Sequence, residues 1–229
     1  MVRSTSEFQS LRLEKSSETM TKRTNSTMAE RARTRSPTPR GAIPIPWVEN
    51  WAFGTPQKNT ENPQIQTIPL SVDGSAIICT IDEAFSPFDL SSLSEVATRK
   101  SLTLRLSSTW DSVINCMEAS IIHRITKESE TIFGCVRSDE EVTDSYTAAS
   151  MKKDKFPRNL RVKVNTTGSH KTRYWGIDKQ RIDPPNHEQV NFNAKVHIRA
   201  LWLGPDGWGL ILDATDLQVQ DAPIVECPF

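Results

Sequence analysis

Between residues 65 and 219 apolar side chains return at every second position in several short runs, and at helical spacing in one long run. That contrast constrains the fold more than any other feature, because period two means half-buried strands and period 3.6 means a helix. Residues 65–71 (IQTIPLS) and 75–81 (SAIICTI) flank Asp73-Gly74, the strongest short hairpin signal. Residues 101–107 alternate, with Leu102, Leu104 and Leu106 on one face. Leu160, Val162 and Val164 alternate with Arg161 and Lys163, and Thr172 to Ile177 reads as a further strand. Val196, Ile198, Ala200 and Trp202 alternate with His197, Arg199, Leu201 and Leu203. Pro205-Asp206-Gly207 then turns the chain, and Gly209 to Val219 returns it.

The helical run covers residues 109–128, with Trp110, Val113, Ile114, Met117, Ile121 and Ile125 on one stripe. Ser108 or Thr109 can cap it, and Asp111 suits its first turn. Ser138 with Glu141 three residues on is a capping box, so a short second helix is predicted near 139–147. Five or six short strands, one or two helices and turn-rich joins predict a mainly β chain of the α+β class. The expected architecture is a small barrel or sandwich with an inserted helix.

The rest of the chain reads differently. Fourteen of the first forty residues are Ser or Thr and no apolar period persists, so residues 1–40 are expected to be a disordered basic tail. The tail ends in RARTRSPTPR (31–40), open to three readings: a nucleic-acid arm, a nuclear-import patch or a transit peptide. Glu7, Glu14, Glu18 and Glu30 weigh against the transit peptide. Residues 41–64 mix four prolines with Trp47, Trp51 and Phe53, which predicts an extended segment pinned by its rings. Residues 65–219 form the predicted domain and 220–229 a C-terminal tail. No run of 18 apolar residues and no secretory pattern is present. The four cysteines lack metal or disulfide spacing and read as free thiols in a reducing compartment, and the Ser/Thr/Arg tail fits the nucleus or cytoplasm of a eukaryotic cell.

The formal net charge is zero, but the charge is segregated. Residues 152–173 carry eight Lys/Arg against one acid, while residues 41–151 carry seven against fifteen. A block of that kind inside a folded region is a local field whatever the overall balance. No G-x-S-x-G, H-E-x-x-H or acid cluster beside a histidine occurs, and nine glycines supply no nucleotide-binding pattern, so no enzyme and no cofactor is expected. The informative constellation is Lys152, Lys153, Lys155, Arg158, Arg161, Lys163, Lys171 and Arg173, followed by Tyr174 and Trp175. Cations that neutralise phosphates and rings that stack on bases are what an unpaired polynucleotide requires.

The order of these features resembles a known family. A helix ending in Ile132-Phe133-Gly134 precedes a short acidic helix, then KFPRNLRVKVN (155–165), a Trp-bearing strand and VHIRALWLGPDGWGLILDATDLQV (196–219). This resembles the OB-fold single-stranded DNA-binding proteins of phages and large eukaryotic DNA viruses, over residues 65–219. The resemblance implies an OB-like barrel that coats exposed strands in replication, recombination or repair without metal or nucleotide. It also implies that a C-terminal tail with a terminal aromatic, here DAPIVECPF ending in Phe229, recruits replication enzymes; only Asp221 and Glu226 are acidic in it.

The expected function is therefore sequence-independent binding of single-stranded DNA, with RNA left open because nothing in the sequence addresses the 2′-hydroxyl. A structural or scaffold protein that keeps the barrel and has lost strand binding is the alternative. Binding predicts the cations and a ring on one open face, whereas a scaffold predicts cations paired with the acids of 82–95 or 139–144 and buried rings.

Overall fold

A computed structural model describes residues 48–59, 62–92, 97–152 and 157–220. The predicted tail 1–40, Trp47, Lys153, Lys155 and Phe229 lie outside these residues. Among the described residues twelve strands occur. They are β1 (Trp51–Phe53), β2 (Gln57–Lys58), β3 (Gln66–Val72), β4 (Ile77–Ser86), β5 (Arg99–Arg105), β6 (Tyr146–Thr147), β7 (Ser150–Met151), β8 (Asn159–Asn165), β9 (Arg173–Trp175), β10 (Arg181–Ile182), β11 (Val190–Gly204) and β12 (Gly207–Gln220). The helices are α1 (Ser108–Lys127), α2 (Ser129–Phe133) and α3 (Asp139–Asp144). No described helix is long and apolar enough to cross a membrane.

Five strands close a ring in the order β4-β5-β8-β12-β11 and back to β4. All its pairs are antiparallel except β8 with β12. One parallel pair closing an otherwise antiparallel five-stranded ring is the OB arrangement, in agreement with the mainly β, α+β expectation. The seam between β4 and β5 is the thinnest, a single register pair of Phe85 with Arg105. The interior follows the alternation in the sequence. Ile77, Cys79, Ile81, Leu102, Leu104, Leu160, Val162, Val164, Phe192, Val196, Ile198 and Leu217 are all buried. Burial in this apolar interior pushes the Cys79 thiol up to about 12, so it behaves as a small hydrophobe.

α1 is inserted between β5 and β8 and turns Trp110, Ile114, Met117, Ile121 and Ile125 into the same core. Its cap is Ser107, one residue before the expected Ser108 or Thr109, with the hydroxyl accepting from the Trp110 amide. α3 begins with the predicted capping box, Ser138 and Glu141 bonding each other's backbone. It ends at Asp144, because the next residues pair with β12 as a strand.

The Asp73-Gly74 turn forms, with φ of 50° and 74° and reciprocal bonds between Val72 and Ser75. It does not build a hairpin of β3 on β4. Both strands lie end to end along one edge of the 15-residue β11, β3 against residues 200–203 and β4 against residues 190–198. The long edge of β11 satisfies more backbone groups than a short two-strand hairpin would, so the local turn becomes an outward kink. Ahead of β3, Trp51 is buried and pairs with Val72, and Arg124 donates to the Val48 carbonyl at 2.5 Å while lying over the Phe53 ring at 4.8 Å.

The β11–β12 hairpin turns at Pro205-Asp206, as the sequence predicts. Trp208, at its tip, is fully buried, donates from Nε1 to the Val142 carbonyl at 2.9 Å and packs on Tyr146. This close docking leaves no room at Gly209, where a Cβ would fall 2.7 Å from the Thr147 carbonyl oxygen. Gly209→Ala is therefore expected to destabilise the domain by about 1–3 kcal/mol. Gly204→Ala, whose Cβ would meet Trp202 at an ordinary 3.4 Å, should change little. Urea unfolding of the two variants checks this, and equal midpoints would refute the packing account.

Candidate nucleic-acid interface

The predicted basic run divides into two groups with different fates. Lys152 and Arg158 are tied to the helix. Lys152 bonds Asp111 at 2.7 Å, and Arg158 bonds Asp111 at 2.5 Å, Asn115 at 3.0 Å and Ser150 Oγ at 2.6 Å, with Glu118 at 3.3 Å. The hydrogen bonds from Lys152 and then Arg158 hold the Asp111 carboxyl below the usual carboxylate range. Glu118 is buried and also accepts from Ser150 Oγ at 2.5 Å and Tyr146 OH at 3.0 Å. A buried carboxylate needs such partners, and Arg158 is consumed as one of them. Lys152 and Arg158 thus fasten α1 to the segment leading into β8; Arg158 is largely covered by its partners, while the Lys152 side chain stays half exposed beside Asp111.

The expectation for Tyr174 is corrected. It points inward from β9, 4 % exposed, so it cannot stack on a base. Its hydroxyl lies 2.9 Å from His187 Nε2, and His187 Nδ1 lies 3.2 Å from Asp89. Burial first, and then the Asp89 charge, push the phenol up to about 12. This chain of three residues binds the β4–β5 connection and the β10–β11 connection to β9. His187 carried no signal in the sequence, because its partners lie 13 and 98 residues away.

The other group is on the outer wall of the barrel. One register row runs Ser101, Lys163, Asp213, His197, Ile78 across β5, β8, β12, β11 and β4. Asp213 is the centre of this row. Its side chain is 9 % exposed and forms ion pairs with Arg99 from β5 and Arg199 from β11. The Arg199 Nε is 2.8 Å from the carboxylate yet off the N–H axis, so that contact is ionic without a hydrogen bond. Lys163 reaches Ser101 Oγ at 2.8 Å, and burial, followed by the Arg99 and Arg161 charges, lowers its pKa. Burial is also the chief cause that keeps His197 below its ordinary value. Arg161 is exposed and carries no ion pair among the described residues, and the same holds for Lys171.

Asp216, three residues along β12, repeats the device. It accepts from Arg173 at 2.8 Å, from Trp175 Nε1 at 2.9 Å and from Thr215 at 3.0 Å. Burial raises its pKa, but these hydrogen bonds outweigh it and the carboxyl lies below the usual range. The Trp175 indole is thereby fixed, half-buried, beside the Arg173 guanidinium. Arg161, Lys163, Arg173 and Trp175 of the predicted set thus share this wall with Arg99, Arg199 and His197, which sequence reasoning did not select. Arg99 and Arg199 flank Asp213, Lys163 lies opposite it in register and Arg161 is two residues along β8, four basic side chains against one carboxylate. Such a partly desolvated positive excess attracts an anion, and the guanidinium donors turned away from Asp213 can bond phosphate oxygens. Among the described residues the cations of 152–173 pair with Asp111, Glu118 and Asp216, and none pairs with an acid of 82–95 or 139–144, the pairing expected of a scaffold.

Two measurements test the electrostatics. Asp213→Asn leaves like charges facing one another and should lower stability by about 1–2 kcal/mol at low salt, less at high salt. A loss that does not depend on salt would refute a charge role. For His187, burial outweighs Asp89 and keeps the ring pKa below its ordinary value. The unfolded chain then binds a proton from about pH 6.5 downward, before the folded chain does. Stability is complete above that pH and declines below it. His187→Gln should decline less between about pH 7.5 and 5.5, and an unchanged slope would remove His187 as the cause.

No protein-family model matches the chain, and no curated protein matches it in sequence. Among solved structures it is similar to the single-stranded DNA-binding protein from bacteriophage Enc34 in complex with single-stranded DNA, at 9 % identity and a TM-score of 0.44, over 74 % of this chain and 97 % of that one. A C-terminal truncation of the Enc34 protein matches at 9 % identity and a TM-score of 0.41, over 76 % and 97 %. The single-stranded DNA-binding protein gp2.5 encoded by bacteriophage T7 matches at 9 % identity and a TM-score of 0.38, over 66 % and 97 %.

Proposed function

We propose that this protein binds single-stranded DNA on the outer wall of its barrel, without catalysis, in replication, recombination or repair. The observation that carries the reading is the Asp213-centred wall. Four cations from three strands are held side by side there, with only one acid among them. Phosphate contacts come from Arg161, Lys163, Arg99 and Arg199, and Trp175, set by Asp216, supplies a ring for stacking beside them. Arg99 and Arg199 are already positioned by Asp213 and Lys163 by the Ser101 hydroxyl, so binding freezes fewer side-chain rotations than it would for free surface lysines. The setting proposed is the nucleus or cytoplasm of a eukaryotic cell.

Fluorescence anisotropy with a labelled oligo-dT, competed by duplex DNA and by RNA at two salt concentrations, tests this. Affinity should fall with salt, and Arg161→Ala with Lys163→Ala should reduce the log–log salt slope by roughly 1.4, about 0.7 for each lost phosphate contact on a single strand. Single strands should quench tryptophan fluorescence, with the quenching lost in Trp175→Ala. Absence of binding to oligo-dT at low salt would overturn the proposal, and equal binding of all three competitors would reduce the wall to a generic basic patch.

A further inference from the structure

Among the described residues three buried side-chain atoms lack a hydrogen bond: Arg105 Nε, Asn159 Oδ1 and Arg199 Nε. Arg199 Nε has the Asp213 carboxylate at 2.8 Å. The remaining two, a donor and an acceptor, sit on residues directly opposite each other, Arg105 of β5 and Asn159 of β8. Buried unpaired polar atoms are rare in folded chains, and two on adjacent residues call for a reason.

Their surroundings supply one. A single register row runs Met151, Asn159, Arg105, Phe85, Asn191 across β7, β8, β5, β4 and β11. It faces outward, because Leu160, Leu104, Ala84 and Phe192 beside it are buried. Met151 is half exposed, and the Arg105 guanidinium lies over the Phe85 ring at 5.4 Å. The row is therefore a flat surface of thioether, ring and guanidinium with an amide set into it. It contains no acid. Its neighbour along β8 is Arg161, two residues on and about 7 Å away at strand spacing. That is comparable to the offset between a nucleotide's phosphate and its base.

Resting on the single-strand reading above, we infer that this row is a base-reading subsite. An unpaired nucleobase stacks on Phe85 and presents its Watson–Crick edge to Asn159 and Arg105. A base edge carries both donors and acceptors, which complement the open amide oxygen and the open guanidine N–H. Both atoms lie below the surface in the free chain. A base reaches them as Arg105, which no ion pair holds among the described residues, lifts off Phe85, and the base replaces the guanidinium on the ring. Binding then depends on base identity, unlike binding by phosphate contacts and stacking alone.

The test measures the affinity of oligo-dT, oligo-dA and oligo-dC of equal length for the full chain and for Asn159→Leu. The wild type should separate best from worst by about fivefold or more, the equivalent of about 1 kcal/mol. In Asn159→Leu the spread should fall to about twofold with the salt slope unchanged. The leucine replaces an amide whose buried oxygen is unpaired with an apolar group of similar size, so the melting temperature should hold or rise. A retained spread, or a lowered melting temperature, would overturn base reading and leave phosphate binding standing. Failure of the wild type to bind any of the three would overturn the single-strand reading itself.

Discussion

Strand β12 does two jobs that depend on each other. One face buries Leu212, Ala214 and Leu217 and completes the barrel interior. The other carries Asp213 and Asp216, each the hub for cations from neighbouring strands. Placing Arg99, Lys163 and Arg199 together on a sheet would cost repulsion energy if nothing compensated it. A single low-exposure carboxylate lowers that cost without cancelling the positive excess. The carboxylate is rooted in the strand that pairs with both β8 and β11, which sets it between their cations. Barrel closure and the charge pattern of the wall are thus one constraint.

The same logic explains why the basic run of the sequence split. Arg158 immediately precedes β8 and meets Asp111 and Glu118 on α1. Arg161 and Lys163, inside β8, alternate with core residues and must face outward. The helix inserted between β5 and β8 needs an anchor on the chain that enters β8, and Arg158 provides it through a buried network. Removing either partner of such a network leaves a charge stranded away from water, so these residues are bound to stability and not free for a ligand.

The strands, the helix stripe and the capping box of α3 were legible because each is written in residues a few positions apart. Leu160, Val162 and Val164 announce β8 and at once place Arg161 and Lys163 on the opposite face. What was not legible depends on pairing across the chain. Arg99 and Arg199 meet only because β5 and β11 both approach β12. Asp213 carries no signal of its own in the sequence, because only the register sets it opposite Lys163 and His197. Tyr174 beside Trp175 read as two rings of equal standing, yet strand alternation sends one to His187 and the other to Asp216. Asp73-Gly74 shows the converse: a strong local signal was obeyed in its dihedral angles and overruled in its consequence, because β11 offered a longer edge.

The overall neutrality of the chain is no obstacle to polyanion binding. Exposed charges are screened beyond about 8 Å at physiological ionic strength, so a phosphate on the wall responds to Arg99, Arg161, Lys163, Arg199 and Asp213. The acids of α3, on another element, contribute little there. A chain with the same composition but its charges shuffled would keep its isoelectric point and lose the wall. Charge position, set by strand register, therefore creates a local field that net charge conceals.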